Sequence, residues 1–379
     1  MTTALDAHLS EAQRELLATT AELAQRELAP LAAEGSPGEV NRPLLAAMAE
    51  HGLLGRLFSG GGDVGAMELC LIREGLARHC TEAETAFAVQ GLGSFPILQH
   101  GREELAAHWR PRLTAGEAVA AFALTEPGAG SDVAALALRA EPDGDGFRLS
   151  GEKAYISNAP DADVYTVFAR TSGDRGARGI TAFAVPGDAE GLSGERIALV
   201  APHPIGRLRF DGVVVPRDHL LGDADRGFAV AMATLDRFRP SVGAFAVGMA
   251  QAALAAAVDH AGRREAFGRP LREFQAVSHR LADVATRVQA ARLLVHHAAA
   301  AYDAGIRPVT QVAAMAKLLA TETAQEAVDA AIQVHGAVAL EADHPLSHLY
   351  REVRAPRIYE GASEIQREIV ARELFRTGG

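Results

Sequence analysis

The chain predicts an α+β protein in three parts: an N-terminal α-helical domain, a central antiparallel β-barrel or sandwich, and a C-terminal four-helix bundle. Three observations carry that prediction. Apolar residues recur at helical spacing through the first third. From Val119 they change to short β-rich runs between Gly, Pro and Asp clusters. After Gly222, four long amphipathic stretches follow, the pattern of an up-and-down bundle. The boundaries fall at 1–118, 119–226 and 227–379, since 379 residues are too many for one ordinary core.

In the first domain Ser10 and Gln13 stand at capping-box spacing, and Leu16, Leu17, Leu23, Ala24 and Leu28 then keep helical period. Pro30 should stop that helix. Further helices are expected over 43–50, 67–79 and 103–113. The run Ser59-Gly-Gly-Gly-Asp63 reads as a loop between helices. It lacks the Lys-Ser/Thr that would make it a phosphate loop. In the second domain Phe147 and Leu149 alternate with polar neighbours after a turn at Pro142–Gly146. Strands are expected around Tyr155, 164–168, 180–185 and 208–215. The closing helices are expected over 227–263, 270–304, 308–335 and 363–376.

Bulk chemistry excludes some partners. A net charge of −11 opposes binding to a nucleic-acid backbone or an anionic membrane. Lys153 and Lys317 are the only lysines, so an anion site would be built from guanidinium and backbone N–H groups. Cys70 and Cys80 fit no zinc or redox spacing and read as reduced core thiols of a cytoplasmic protein. No metal site is expected. Acidic Asp6 and Glu11 near the start argue against a signal peptide. The apolar stretch 242–258 is rich in alanine and glycine, and reads as a buried helix rather than a membrane span.

One carboxylate stands out. Glu360, in Ile358-Tyr-Glu-Gly-Ala362, lies between an apolar run and the start of the last helix, with Ser363 and Gln366 at capping-box spacing. A helix N-terminus favours the charged carboxylate, whereas burial raises its pKa and makes it a stronger base. Taken alone, Glu360 would read as a solvated loop residue. Its neighbours in sequence change that. Ala123-Leu-Thr-Glu-Pro-Gly-Ala-Gly-Ser-Asp132 frees its backbone for close approach to a ligand and adds two hydroxyls, more than a plain Pro-Gly turn requires. Gly151-Glu-Lys-Ala-Tyr-Ile-Ser-Asn158, Arg263-Arg-Glu-Ala-Phe-Gly-Arg269 and the stretch 351–366 follow in order.

Together these four segments resemble the acyl-CoA dehydrogenases, over essentially the whole chain and at family spacing. The resemblance implies an FAD enzyme that removes hydrogen from Cα and Cβ of an acyl-CoA thioester, giving a trans-2-enoyl thioester. Glu360 aligns with the catalytic base. The polarising donors to the thioester carbonyl would be a flavin ribityl hydroxyl and the Glu360 N–H. Phe238 occupies the site from which some relatives supply the base, and it cannot accept a proton. Flavin contacts are implied for Phe122, Leu124, Thr125, Gly130 and Ser131, for Tyr155, Ile156 and Ser157, and for Ala362 and Glu364. Tyr155 stands where most relatives carry Trp over the flavin face. Arg264, with Gln275, would reach the pyrophosphate of a neighbouring subunit's FAD, and Gln333 and Gly336 would cradle the same region. Thioester contacts are implied for Ser131, Asp236, Arg239, Gly361 and Arg372. Phe238, Phe95 and Leu92 could narrow the acyl pocket, although core packing is the simpler reading of all three.

An electron-transfer flavoprotein as acceptor and a homotetramer are the family norm. An acyl-carrier-protein substrate, direct reoxidation by oxygen, and a non-catalytic flavin-binding or regulatory protein are the alternatives. The acidic charge and the intact Glu360 oppose the last of these. Two departures bear on specificity. The stretch 199–210 is shorter and more proline-stiffened than in most relatives, and the loop at 59–65 is abbreviated.

Overall fold

The computed structural model describes residues 4–58, 65–173 and 176–376, so the glycine-rich run expected as a loop at Ser59–Asp63 lies outside the described residues. Seven helices come first: α1 (Glu11–Leu23), α2 (Ala29–Ala33), α3 (Arg42–Glu50), α4 (Leu53–Leu57), α5 (Ala66–Ala77), α6 (Thr81–His100) and α7 (Glu103–Thr114). Eight strands follow: β1 (Ala120–Ala123), β2 (Arg139–Asp143), β3 (Gly146–Ser157), β4 (Val164–Arg170), β5 (Ile180–Pro186), β6 (Leu192–Arg196), β7 (Ile205–Val215) and β8 (Leu220–Leu221). Helix α8 (Gly227–Arg263), the small hairpin β9 (Glu265–Ala266) and β10 (Arg269–Pro270), then α9 (Gln275–Asp303), α10 (Thr310–His335), α11 (Pro345–Glu352) and α12 (Ser363–Arg376) complete the chain.

Two compact units emerge. One comprises Met1–Ala29, Gly65–Glu84 and Asp236–Gly379; the other comprises Pro30–Val64 and Thr85–Leu235. In the second unit the strands form one sheet in the order β6-β7-β3-β2-β4-β5-β8, with β1 beside β4. Pairing is antiparallel except where β1 and β2 meet β4. The strand β4 is buried on both faces, which is why its sequence is a continuous apolar run rather than an alternation. In the first unit α8, α9 and α10 share an alanine- and valine-rich core with Cys70 and Ala77 of α5. By length and composition α8 could cross a membrane, but 67% of its apolar window is buried inside the protein, as expected for a core helix. Burial pushes the Cys80 thiol up to about 12 and the Cys70 thiol higher still, so both remain unreactive thiols.

Three local differences from the sequence expectation have clear causes. The first helix does not stop at Pro30: a π-turn over Ala24–Leu28 carries it into α2. The wider turn makes room for a proline ring that would collide with an α-helical carbonyl. Pro142 and Asp143, inside β2, pair with Phe147 and Gly146, so the turn narrows to Gly144 and Asp145. Ser363 is the first residue of α12 rather than its cap, because Ala362 O already accepts from Gln366 N at 3.0 Å. Its hydroxyl instead donates to Glu322 at 2.7 Å, and the expected capping box is not formed. The capping box at Ser10 and Gln13 is present.

Nothing in the apolar periodicity marks α6. It buries residues on every side, so it has no polar face to set a 3.6-residue rhythm, and Gly91, Gly93 and Pro96 imitate a loop. Within the second unit α6 positions β1. The Gln90 amide donates to Leu113 O and Ala118 O and accepts from Ala120 N. Gly93 lies so close to the strand that a Cβ there would sit 2.6 Å from Ala121 N.

Candidate active site

In the second unit, β1 delivers the chain into the segment 124–131. Ala154 N donates to Thr125 O at 3.0 Å, and Glu126 and Ala129 bond each other's backbone, closing a tight turn. A fully buried ion pair stiffens that turn. Lys153 Nζ donates to Glu126 Oε1 at 2.8 Å and to Leu124 O at 3.0 Å. The same carboxylate accepts from Ala137 N and Leu138 N. Burial pushes the Lys153 ammonium down to about 8, against the pull of Glu126.

Around this scaffold the polar groups stay available. Thr125 is half-buried, Gly130 and Ser131 are exposed, and a Cβ on Gly128 or Gly130 would meet nothing within 4 Å. Phe122 rests against Phe168, while the Leu124 and Ile156 side chains are buried in the core. The β3–β7 register shifts between Lys153 and Ile156, and at that bulge Tyr155 takes φ +57 and stands 56% exposed. A bulge re-aims a side chain that regular alternation would have placed otherwise. Ser157, half-buried, ends the same strand. Two open glycines, three hydroxyls and an outward-facing aromatic ring fit a planar heterocycle with a polar edge.

In the first unit the centre is Glu360. Its backbone lies in the left-handed region at φ +49, followed by Gly361 at φ +95. A non-glycine residue held there stores strain, about 1–3 kcal/mol by analogy with other sites. Glu360 as a residue is half-buried, yet its Oε2 is closed to solvent and has no hydrogen-bond partner among the described residues. Burial raises its pKa above the ordinary carboxylate value, held back by Arg73 of α5, Lys317 of α10 and Arg239 of α8. The competition left open by the sequence is therefore resolved in favour of burial. Arg73 is anchored by Glu84 and by Ser241 Oγ. Lys317 Nζ donates to Tyr359 O at 3.1 Å and to Gly361 O at 2.6 Å.

Arg239 is buried and pairs with Asp236 at 2.7 Å, while its Nε is closed to solvent without a partner among the described residues. Gly361 and Ala362 adjoin the carboxylate. Glu364 faces outward on α12, and Arg372 lies exposed on the same helix with its Nε 3.8 Å from Glu373. A second grouping lies at the end of α8. Arg264 is exposed, and one turn earlier His260 stacks on His335 with ring centroids 4.2 Å apart. That contact brings the Arg264 segment to the turn holding Gln333 and Gly336, both exposed. Gln275 is the exposed first residue of α9. Motif reading misses Arg73 and Lys317. Their signals were present: an Arg73-Glu74 pair set inside the apolar stretch 69–77, and one of two lysines in an arginine-rich chain.

Comparison with known proteins agrees with this geometry. Residues 10–117, 121–213 and 225–375 match the N-terminal, middle and C-terminal domains of acyl-CoA dehydrogenase. A cyclohexane-1-carbonyl-CoA dehydrogenase of Geobacter metallireducens is 37% identical over 375 residues, covering 97% of this chain and 98% of the relative. Butyryl-CoA dehydrogenase from Megasphaera elsdenii superposes with a TM-score of 0.91 at 32% identity, covering 98% of this chain and all of the other. A structure described as the electron transferring flavoprotein of Acidaminococcus fermentans superposes with a TM-score of 0.92 at 35% identity, again covering 98% and 100% of the two chains. The chain belongs to the acyl-CoA dehydrogenase family, FAD-dependent oxidoreductases acting on CH–CH bonds.

Proposed function

We propose that the protein oxidises the Cα–Cβ bond of an acyl-CoA thioester to a trans-2-enoyl-CoA, with Glu360 as the base. The carrying observation is the Glu360 carboxylate: its Oε2 is buried with no hydrogen-bond partner among the described residues, and its backbone is held at a strained φ beside three cations. An α-proton next to a thioester carbonyl is weakly acidic, so the base must be strong and the developing enolate must be stabilised. Desolvation strengthens Glu360 as a base, while Arg73, Lys317 and Arg239 keep its ionised form accessible. The Glu360 N–H polarises the thioester carbonyl.

FAD, when bound, supplies the acceptor for the β-hydride. Thr125, Ser131 and Ser157 supply hydroxyls to hold it, Tyr155 supplies an aromatic face, and Gly130 allows close backbone approach. Phe122, Leu124, Ile156, Ala362 and Glu364 complete that set, largely through backbone groups. Arg264, Gln275, Gln333 and Gly336 serve the diphosphate of a neighbouring copy, in a homotetramer working in the cytoplasm. Ser131, Asp236, Arg239, Gly361 and Arg372 contact the thioester's carrier arm. Electrons pass on to an electron-transfer flavoprotein.

The test is anaerobic bleaching of the purified yellow protein by butyryl-, isovaleryl-, octanoyl- and cyclohexanecarbonyl-CoA. At least one should reduce the flavin, and failure of all four would refute the reading. Glu360→Gln should stay yellow and bind the same thioester, but lose reduction rate by roughly 10²–10⁴-fold.

A further inference from the structure

We propose that Lys317 is a positioning residue for Glu360: its ammonium ties together the two carbonyls that flank the base and so fixes the direction of the carboxylate. The inference rests on the reading of Glu360 as the base. Tyr359 O and Gly361 O both accept from Lys317 Nζ, at 3.1 and 2.6 Å. One ammonium can serve both only if the chain doubles back between them, and the consecutive left-handed residues Glu360 and Gly361 provide that reversal. The Gln366 amide takes the other side of the turn, donating to Gly361 O at 2.9 Å and to Glu360 O at 3.3 Å. Three successive carbonyls are thereby held by two side chains, one from α10 and one from α12.

The choice of lysine is informative. Nearly every other cation in the chain is arginine. At a fully buried position, a bulkier planar guanidinium cannot replace a compact ammonium that aims separate protons at two carbonyls. Burying that ammonium is unfavourable: burial pushes it down to about 8, with Glu360 opposing and Arg239 adding to the shift. A cation kept in so adverse a place, with no carboxylate of the described residues hydrogen-bonded to it, is stabilised by the two carbonyls and by the nearby Glu360 charge.

Charge acts with geometry here. Glu360 faces Arg73 from α5, Arg239 from α8 and Lys317 from α10. Carboxylates also act on those groups: Glu84 on Arg73, and Glu322 and Glu364 on Lys317, while Glu352 faces the adjoining Tyr359. Of the three cations facing Glu360, only Lys317 also bonds its flanking backbone.

The experiment is a pH series of single-turnover flavin reduction by the best bleaching thioester, on wild type, Lys317→Met and Glu360→Gln. It is paired with melting temperatures of the two single variants and the double variant. Lys317→Met should retain FAD and keep thioester affinity within about threefold, since the Lys317 ammonium is engaged by the backbone carbonyls of Tyr359 and Gly361. It should slow reduction by about 10- to 100-fold, the size of effect a misdirected catalytic group produces. The acid limb of its rate profile should move up by about one pH unit, because one cation near the carboxylate is gone. At pH 7.5 it should lower the melting temperature more in wild type than in the Glu360→Gln background.

An unmoved acid limb with additive melting losses would show Lys317 to be merely structural. If Glu360→Gln reduces flavin normally, the base reading fails and the Lys317 role falls with it. If Glu360→Gln is inert and Lys317→Met is unimpaired, only the lysine proposal fails. Should Lys317→Met not fold, Lys317→Gln, a neutral side chain that keeps a donor, takes its place with the same expected shift in the acid limb.

Discussion

At the residue scale, Glu360 combines two unfavourable choices, a left-handed backbone and a desolvated carboxylate. Its raised pKa has a consequence for stability. Between the ordinary glutamate value and the raised native value, the folded state binds more protons than the unfolded chain, so stability falls as pH rises through that window. Above the window the loss is complete. Glu360→Gln should therefore melt higher than wild type at pH 8, with the gap closing below about pH 4.5. A lower melting temperature across the whole range would show that attraction to Arg73, Lys317 and Arg239 outweighs burial. Glu360 drew attention because a carboxylate, a glycine and a helix start fall together in sequence, but its reading as a base came from the resemblance of the whole chain. Lys317 was not legible, since its partners are backbone carbonyls some forty residues away, and carbonyls have no sequence signature.

At the element scale, the strands and the long C-terminal helices could be read because each has a period and punctuated ends. The expected helices at 227–263 and 363–376 coincide with α8 and α12. Helix α6 was illegible for the opposite reason, being buried all round and carrying glycines and a proline. The glycine that hides it also sets its distance from β1. Gly93→Ala should place a methyl against the Ala121 backbone and destabilise the protein by about 1–3 kcal/mol, as overpacking does. Chemical denaturation would measure this, and a neutral outcome would mean that helix and strand can separate without cost. Because β1 leads directly into the segment 124–131, the same variant should weaken FAD retention. The bulge at Tyr155 was likewise hidden, since a register shift depends on the partner strand β7 rather than on local sequence.

At the scale of the whole molecule, the first unit is tied together by a buried polar network that no motif announces. Glu74 accepts from Arg292 Nε at 2.7 Å and from Gln251 Nε2 at 3.0 Å, and lies 3.0 Å from His296 Nε2. Arg292 also reaches Asp6 at 2.7 Å, which links the first residues of the chain to α5 and α9. Burial opposes ionisation of Glu74, but the His296 hydrogen bond and the Arg292 charge prevail and hold its pKa below the ordinary value. The stability this carboxylate contributes is present above the unfolded glutamate pKa and is lost as pH falls through the lower, native value. Glu74→Gln should flatten that acid limb. It should also cost about 3–5 kcal/mol at neutral pH, because Arg292 is left buried with a weaker partner. Unfolding curves between pH 2 and 8 would test both parts, and an unchanged acid limb would assign the acid sensitivity elsewhere.

The two lysines have a further consequence. Lys153 and Lys317 are both 0% exposed, and the sequence contains no others. Activated thioesters slowly transfer their acyl groups to accessible amines. A protein that spends its working life among acyl-CoA molecules would ordinarily accumulate such adducts on its surface lysines. Of its lysine and arginine side chains only guanidinium groups reach the surface, and these stay protonated and do not attack acyl carbon. Its outer surface carries the positive charge it needs in a chemically inert form, and both lysine amines sit inside the fold, where stray acylation cannot reach them.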